Sequence, residues 1–270
     1  MDTRSKLEWL ARCGYAARGI VFLLIAGLAL LSSFGGGAPD SKSALQVVLS
    51  QPLGKVWLGL IAVGLLGFVF WRLAQSVANA DNHEHSAKGY VIRAALFASG
   101  LTYLGLTAYA ASHSLGLGVG EGSGGASWTA WLMAQPFGRY LVGVAGLVIV
   151  IGGGVTIFKG LTRRFRRYLR LDGNIKSAAT LISVYGLAAR GLIFIIIGGL
   201  LVYAASAVDP GQAGSMRDAL AWIRKLPFGA VLYTLVALGL AAFGAYNLIE
   251  ARCRIVHAPS LEQAKQALPI

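Results

Sequence analysis

Gly14-Tyr15-Ala16-Ala17-Arg18-Gly19, with Phe22 three residues on, opens an apolar stretch long enough to cross a bilayer, and the same pattern returns twice. It reads Gly89-Tyr90-Val91-Ile92-Arg93-Ala94 with Phe97, then Gly186-Leu187-Ala188-Ala189-Arg190-Gly191 with Phe194. Downstream of each comes a second pattern, Pro52-Leu53-Gly54, Pro136-Phe137-Gly138 and Pro227-Phe228-Gly229, and each of these opens another apolar stretch. Self-similarity at a fixed period sets architecture before any finer reading. The expected fold class is an all-α integral membrane protein, with six transmembrane helices arranged as three parallel two-helix repeats.

Composition agrees. Of the 270 residues, 56% are hydrophobic and only 13% charged, where a soluble domain carries nearly twice that share of charge. The apolar runs are apolar all round and lack a period of two, so they read as lipid-facing helices and not as barrel strands. A span needs roughly 20 apolar residues, and six windows qualify: 15–34, 53–73, 90–112, 138–158, 181–206 and 229–249. The first is longer than the ~7–15 residues of a signal-peptide core. It also carries the repeated Gly-x-x-x-Arg pattern, so it is read as a retained span.

With six spans, eighteen of the 24 Lys and Arg fall on the side of the N- and C-termini. The positive-inside rule makes that side cytoplasmic, giving an N-in, C-in topology. The repeats occupy 1–80, 81–177 and 178–256, with a cytoplasmic tail at 257–270. Two spans per unit return each copy to the same side. The copies are then related by an axis along the membrane normal, and a pseudo-threefold bundle is the natural closure.

Aligning the return helices on their prolines exposes small residues seven and ten positions on: Gly59, Gly143 and Thr234, then Ala62, Gly146 and Ala237. Positions three apart share a helix face, and small side chains let membrane helices approach closely. This stripe is read as a helix-packing surface. The prolines themselves suit the first turn of a helix. The segments 43–50, 127–134 and 215–225, two of them bearing Trp131 and Trp222, are read as short interfacial helices.

The net charge of +13 follows largely from topology, and no nucleic-acid partner is expected. Its densest cluster, Lys159, Arg163, Arg164, Arg166, Arg167 and Arg170, follows the fourth span. It is read either as an orientation signal or as a contact for anionic lipid. Cys13 and Cys253 lie on the cytoplasmic side, so no disulfide is expected. His83-Glu84-His85 is read as a solvated loop and not as a metal site. No catalytic motif and no cofactor fingerprint is present, and an enzyme is not expected.

The residues that stand out are Arg18, Arg93 and Arg190, each four residues after a Gly and four before Phe22, Phe97 or Phe194. Residues four apart share a helix face, so an aromatic ring lies above each guanidinium. In one reading these arginines snorkel to the cytoplasmic interface. In the other, three guanidiniums converge near the cytoplasmic face as an anion or lipid-phosphate site. Ser99, Thr102, Tyr103 and Thr107 in the third span either line a cavity or bond to neighbouring helices.

With its G-[YL]-x-x-R-[GA]-x-x-F patterns and P-[LF]-G turns, the chain resembles a bacterial membrane family known as domain of unknown function 1206. That resemblance covers nearly the whole chain and implies a repeated two-helix unit in the bacterial inner membrane. Function is expected to be that of a non-catalytic binding or scaffold protein, with membrane lipids, anionic ones included, or a membrane protein as partners. The alternative is a passive channel or transporter for an anion or small solute.

Overall fold

The computed structural model describes residues 3–32, 38–81, 84, 86–117, 124–169, 175–207, 209 and 214–254. Among them the chain is helical, with one isolated bridge between Leu169 and Arg254. Three helices come from each repeat. The first repeat gives α1 (Thr3–Ser32), α2 (Ser41–Leu49) and α3 (Gly54–Ser76). The second gives α4 (Ala87–Ser114), α5 (Gly124–Met133) and α6 (Gly138–Leu161). The third gives α7 (Ile175–Ala207), α8 (Met216–Arg224) and α9 (Gly229–Cys253). A short 3-10 helix, Arg164–Tyr168, follows α6. Six helices are long and apolar enough to cross a membrane, namely α1, α3, α4, α6, α7 and α9.

The leading helices α1 and α7 begin well before the repeated glycine. Arg18 and Arg190 therefore stand fifteen residues into their helices, whereas Arg93 is only six residues into α4. Within the apolar parts of α1 and α7, Glu8–Ser32 and Ser177–Ala207, both arginines lie close to the midpoint.

The short helices start where local chemistry tells them to. Asp40 and Ser43 form a capping box at α2, and Ser215 and Asp218 form one at α8. Each P-[LF]-G then makes the turn into the return helix. Leu53, Phe137 and Phe228 all sit in the left-handed region, at φ 58°, 63° and 59°, as N-caps. The prolines thus stand one residue before the N-cap and not in the first turn. A Cβ on Gly54, Gly138 or Gly229 would run into the carbonyl oxygen of Leu49, Leu132 or Arg224 at the end of the preceding short helix. Only glycine fits there.

The long helices pack in the order α4, α3, α1, α9, α7, α6. Each return helix lies against the leading helix of the following repeat: α3 on α4, α6 on α7, α9 on α1. The small-residue stripe is part of this contact. A Cβ on Gly59 would meet Ser114 Oγ of α4 at 2.8 Å, and one on Gly143 would meet Ala205 Cβ of α7 at 3.6 Å. Gly146 faces the Gly198 carbonyl of α7 at 2.8 Å. Ala62 and Ala237 are buried, and the Thr234 hydroxyl donates to Ala230 of its own helix. Between α6 and α7 glycine meets glycine twice, Gly146 with Gly198 and, seven residues on, Gly153 with Gly191. Gly19 of α1 meets Gly244 of α9 at the corresponding repeat positions.

Inside a repeat the picture divides. In repeats one and three the two long helices cross tightly. Gly64 lies against Ala17, Gly239 against Ala189, Gly14 against the backbone of Phe68 and Gly186 against that of Phe243. In repeat two, α4 and α6 share no extended contact among the described residues. The sequence supplies the reason. Where the others pair Gly with Ala, repeat two has Val148 and Ile92. Where they pair Phe with Gly, it has Gly152 and Gly89. Two branched side chains replace the smallest pair, and the phenyl that fills the crossing is missing. Val148 is exposed, and a Cβ on Gly152 would meet nothing within 4 Å. The row of helices is open between α4 and α6, where repetition alone suggested a closed ring.

Candidate functional site

Arg18 is built into the centre of this row. Its guanidinium carbon stands 4.9 Å from the ring centroid of Phe68, 5.1 Å from Phe243, 5.2 Å from Tyr103 and 5.8 Å from Phe22. Those rings come from α3, α9, α4 and α1. The glycine one turn earlier is what brings Phe68 so near: a Cβ on Gly14 would lie 2.5 Å from the Phe68 nitrogen. Nε of Arg18 donates to the Tyr103 hydroxyl at 2.7 Å. The residue is 3% exposed, so it does not reach a helix end to find water.

Its two terminal nitrogens have no acceptor among the described residues. The ion pairs there are Arg12 with Glu8 and Arg254 with Asp81 and Glu250, so no carboxylate faces Arg18. A charge at the bilayer centre costs about 3 kcal/mol or more. Stacking on rings returns about 0.5–2 kcal/mol per contact, but rings cannot accept the N–H groups left over.

Arg190 repeats the arrangement from α7. It stands 4.5 Å from Phe243, 4.8 Å from Phe194 and 5.7 Å from Phe22. It is half-buried and has no hydrogen bond or ion pair to the described residues. Two arginines from different repeats thus share Phe22 and Phe243, which meet edge to face at 4.8 Å. On the other side Arg72 of α3 stands 4.8 Å from Phe68. The result is an alternating file, Arg72, Phe68, Arg18, Phe243, Arg190, running from α3 to α7.

Arg93 is elsewhere. Its Nε donates to the Ser76 carbonyl at 2.6 Å and an Nη to the Val77 carbonyl at 2.8 Å, while the Ser76 hydroxyl donates back to the Arg93 carbonyl at 2.8 Å. It therefore caps the end of α3, where a cation suits the helix dipole. Phe97 is 42% exposed. Of the three arginines expected to converge, the structure brings together Arg18 and Arg190 and sets Arg93 apart. Among the third-span hydroxyls, Tyr103 reaches Arg18, while Thr102 and Thr107 bond to carbonyls of their own helix.

A second polar group, not foreseen from the sequence, closes the end that carries the termini. Arg254 pairs with Glu250 at 2.5 Å and with Asp81 at 3.3 Å, and Asp81 accepts from Gln75 at 2.6 Å. Gln75 in turn accepts from Arg72 at 2.9 Å. Tyr15, Trp71 and Tyr168 surround the Arg254 guanidinium at 5.0–6.0 Å. No local motif announces this cluster, because Asp81 and Arg254 are far apart in sequence. The basic segment is pinned beside it: Phe165 is buried against Tyr246, and Leu169 bridges to Arg254. Lys159, Arg163 and Arg164 are exposed around these anchors and Arg166 is half-buried. The Arg167 side chain and Arg170 lie outside the described residues, as do His83 and His85. Among the described residues no group of three metal-binding side chains occurs.

The helices, their turns and their glycine crossings define a multi-pass membrane protein built from one two-helix unit used three times. The family model described as Domain of Unknown Function (DUF1206) matches the chain at residues 13–79, 94–163 and 185–254, and the chain belongs to that family. It is 31% identical over 256 residues to the uncharacterized protein YxxB of Bacillus subtilis (strain 168), a match covering 92% of each chain. No solved structure matches it.

Proposed function

We propose that this protein is a non-catalytic anion-binding protein of the bacterial inner membrane, with both termini cytoplasmic and its three repeats derived from a pseudo-threefold plan. The site is the Arg18–Arg190 pair and not a triad. The observation that carries this reading is Arg18 itself. It lies at mid-span, 3% exposed, with two terminal nitrogens unmatched and no carboxylate beside it. A buried guanidinium in that state is stabilised by an anion, which accepts the free N–H groups and cancels the charge. Lipids and partner proteins reach the molecule through the basic segment Lys159–Arg170 and the short helices. The same mid-span depth favours a second reading, an anion pathway, since transporters place their sites near the bilayer midplane.

Both readings meet in one experiment. Purified protein in neutral detergent is titrated with alkyl and inorganic phosphate, and the natural chain is compared with R18Q, R190Q and R93Q. Charge-assisted hydrogen bonds of about 1.5–3 kcal/mol translate into about a 10- to 100-fold weaker affinity for R18Q and R190Q, with R93Q unchanged. Equal affinity in all four proteins would overturn the site. Flux of the same anions in proteoliposomes separates binding from passage.

A further inference from the structure

The opening between α4 and α6 bears on what kind of anion the site takes. We propose that it is a lateral entrance from the bilayer, and that the ligand is an anionic amphiphile, a single acyl chain with a phosphate or carboxylate head. The inference rests on the Arg18–Arg190 site proposed above.

Three observations converge on it. The first is that both ends of the helix row are filled. At one end Glu250, Arg254, Asp81 and Gln75 are knotted together beneath Trp71 and Tyr246. At the other, Tyr233 is fully buried and bonds to Ser32 at 2.8 Å, and Arg224 donates to the Ser32 carbonyl at 2.8 Å. Buried Leu45 and Leu220 of the short helices cover the same end. Among the described residues these side chains fill both ends along the helix axis, whereas the flank between α4 and α6 is open.

The second is that the opening is written into repeat two. Repeat two has the branched Ile92 and Val148 where Ala17 with Gly64, and Ala189 with Gly239, let the other repeats close. Gly152 takes the place of Phe68 and Phe243, two of the four rings around Arg18. Arg18 keeps a ring from both adjoining return helices, Phe68 of α3 and Phe243 of α9, whereas Arg190 has only Phe243, so by the repeat alignment the missing ring falls beside Arg190 on the α6 side.

The third is that α4, one lip of the opening, is joined to the site. Its Tyr103 hydroxyl accepts a hydrogen bond from Arg18 Nε at 2.7 Å, and its ring meets Phe68 at 4.8 Å. A head group arriving between α4 and α6 meets Tyr103 and the free nitrogens of Arg18, while its chain stays among the exposed apolar residues of α4 and α6, such as Leu101, Leu104, Val144 and Val148.

The test uses the full chain in neutral detergent with two probes, dodecyl phosphate and inorganic phosphate. Three proteins are compared with the natural one. R18Q removes the site. I92A/V148G/G152F restores the closing residues of repeats one and three. G152F alone places a phenyl in the open position, where the added Cβ meets nothing within 4 Å, and it serves where the triple variant fails to fold. The natural protein is expected to bind dodecyl phosphate at least about tenfold more tightly than inorganic phosphate. R18Q and both closing variants should each lose about tenfold or more of that affinity. Loss in R18Q with full binding by the closing variants would refute the entrance and leave the site standing. Full binding by R18Q would refute both. Equal affinity for the two probes would refute the amphiphile.

Discussion

Gly152 and Gly153 are neighbours on α6 with opposite surroundings, and replacing each by alanine tests the helix packing with one methyl group. In helix interiors alanine is favoured over glycine by about 0.5–1 kcal/mol, so propensity alone makes both changes stabilising. At Gly152 nothing lies within 4 Å of the added carbon, and G152A should realise that gain. At Gly153 the same carbon would stand 2.6 Å from the Gly191 carbonyl oxygen and 2.8 Å from Ile195 Cγ1. The two helices must separate by about 0.8 Å to restore ordinary contact, and a gap of that size forfeits a quarter to a half of each dispersion contact along the face. Overpacking costs about 1–3 kcal/mol. Because the propensity gain is common to both, the expected outcome is that G153A is less stable than G152A by about 1–3 kcal/mol. A titration of the purified protein with sodium dodecyl sulfate, followed by circular dichroism, measures the difference. Proximity can be read separately from a G143C/A205C pair made with Cys13 and Cys253 replaced by serine. The 3.6 Å between those Cβ positions suits a disulfide, which should form readily with Gly153 and poorly with G153A. Equal stability of G152A and G153A would mean that α6 does not seat on α7 through its glycines.

Other outcomes follow from the polar groups. R254M strands Glu250 and Asp81 without their cation, and loss of one partner of a buried pair costs about 3–5 kcal/mol, read as a lower denaturation midpoint. R93M removes two hydrogen bonds to the last carbonyls of α3 and should cost about 1.5–3 kcal/mol without altering phosphate binding. R18K keeps the charge but gives up the planar stacking and the fixed donor fork, so it should recover little of the dodecyl phosphate affinity lost in R18Q. Trp9→Cys and Asp209→Cys, made singly in a chain otherwise free of cysteine, should react differently with an impermeant maleimide. Intact spheroplasts should label the second and not the first; the reverse pattern would invert the topology.

Much of this arrangement was legible because the repeat displays its own alignment. Arg18 and Arg190 stood out by recurrence, and Gly14, Gly186 and the three P-[LF]-G turns marked where backbones meet. Recurrence also misled, since it gave Arg93 the role of its counterparts. The departure was written in Ile92, Val148 and Gly152, four turns and more from the pattern in one case and invisible without knowing that Gly64 touches Ala17. The depth of the arginines was hidden because α1 and α7 continue as helix through residues too polar to be counted as span. The Arg254 cluster was out of reach for another reason: its members meet only after α9 has come back beside α1, and no spacing records that.

The spatial order of the long helices, α6, α7, α9, α1, α3, α4, is the order along the chain once the chain is cut between α4 and α6 and its ends are joined. A circular permutant of that kind would place every long helix beside its neighbour in sequence, and α1 and α9, which it would join, already lie side by side, with Arg12 donating to the Arg252 carbonyl at 2.7 Å. In the natural connectivity one junction, α1 with α9, waits for the last helix to be synthesised. Non-local contacts of this sort are the slow ones to form. Until α9 inserts, Arg18 has Phe22, Phe68 and Tyr103 beside it but not Phe243, and the cation spends the interval of biogenesis in an aromatic box with one wall missing.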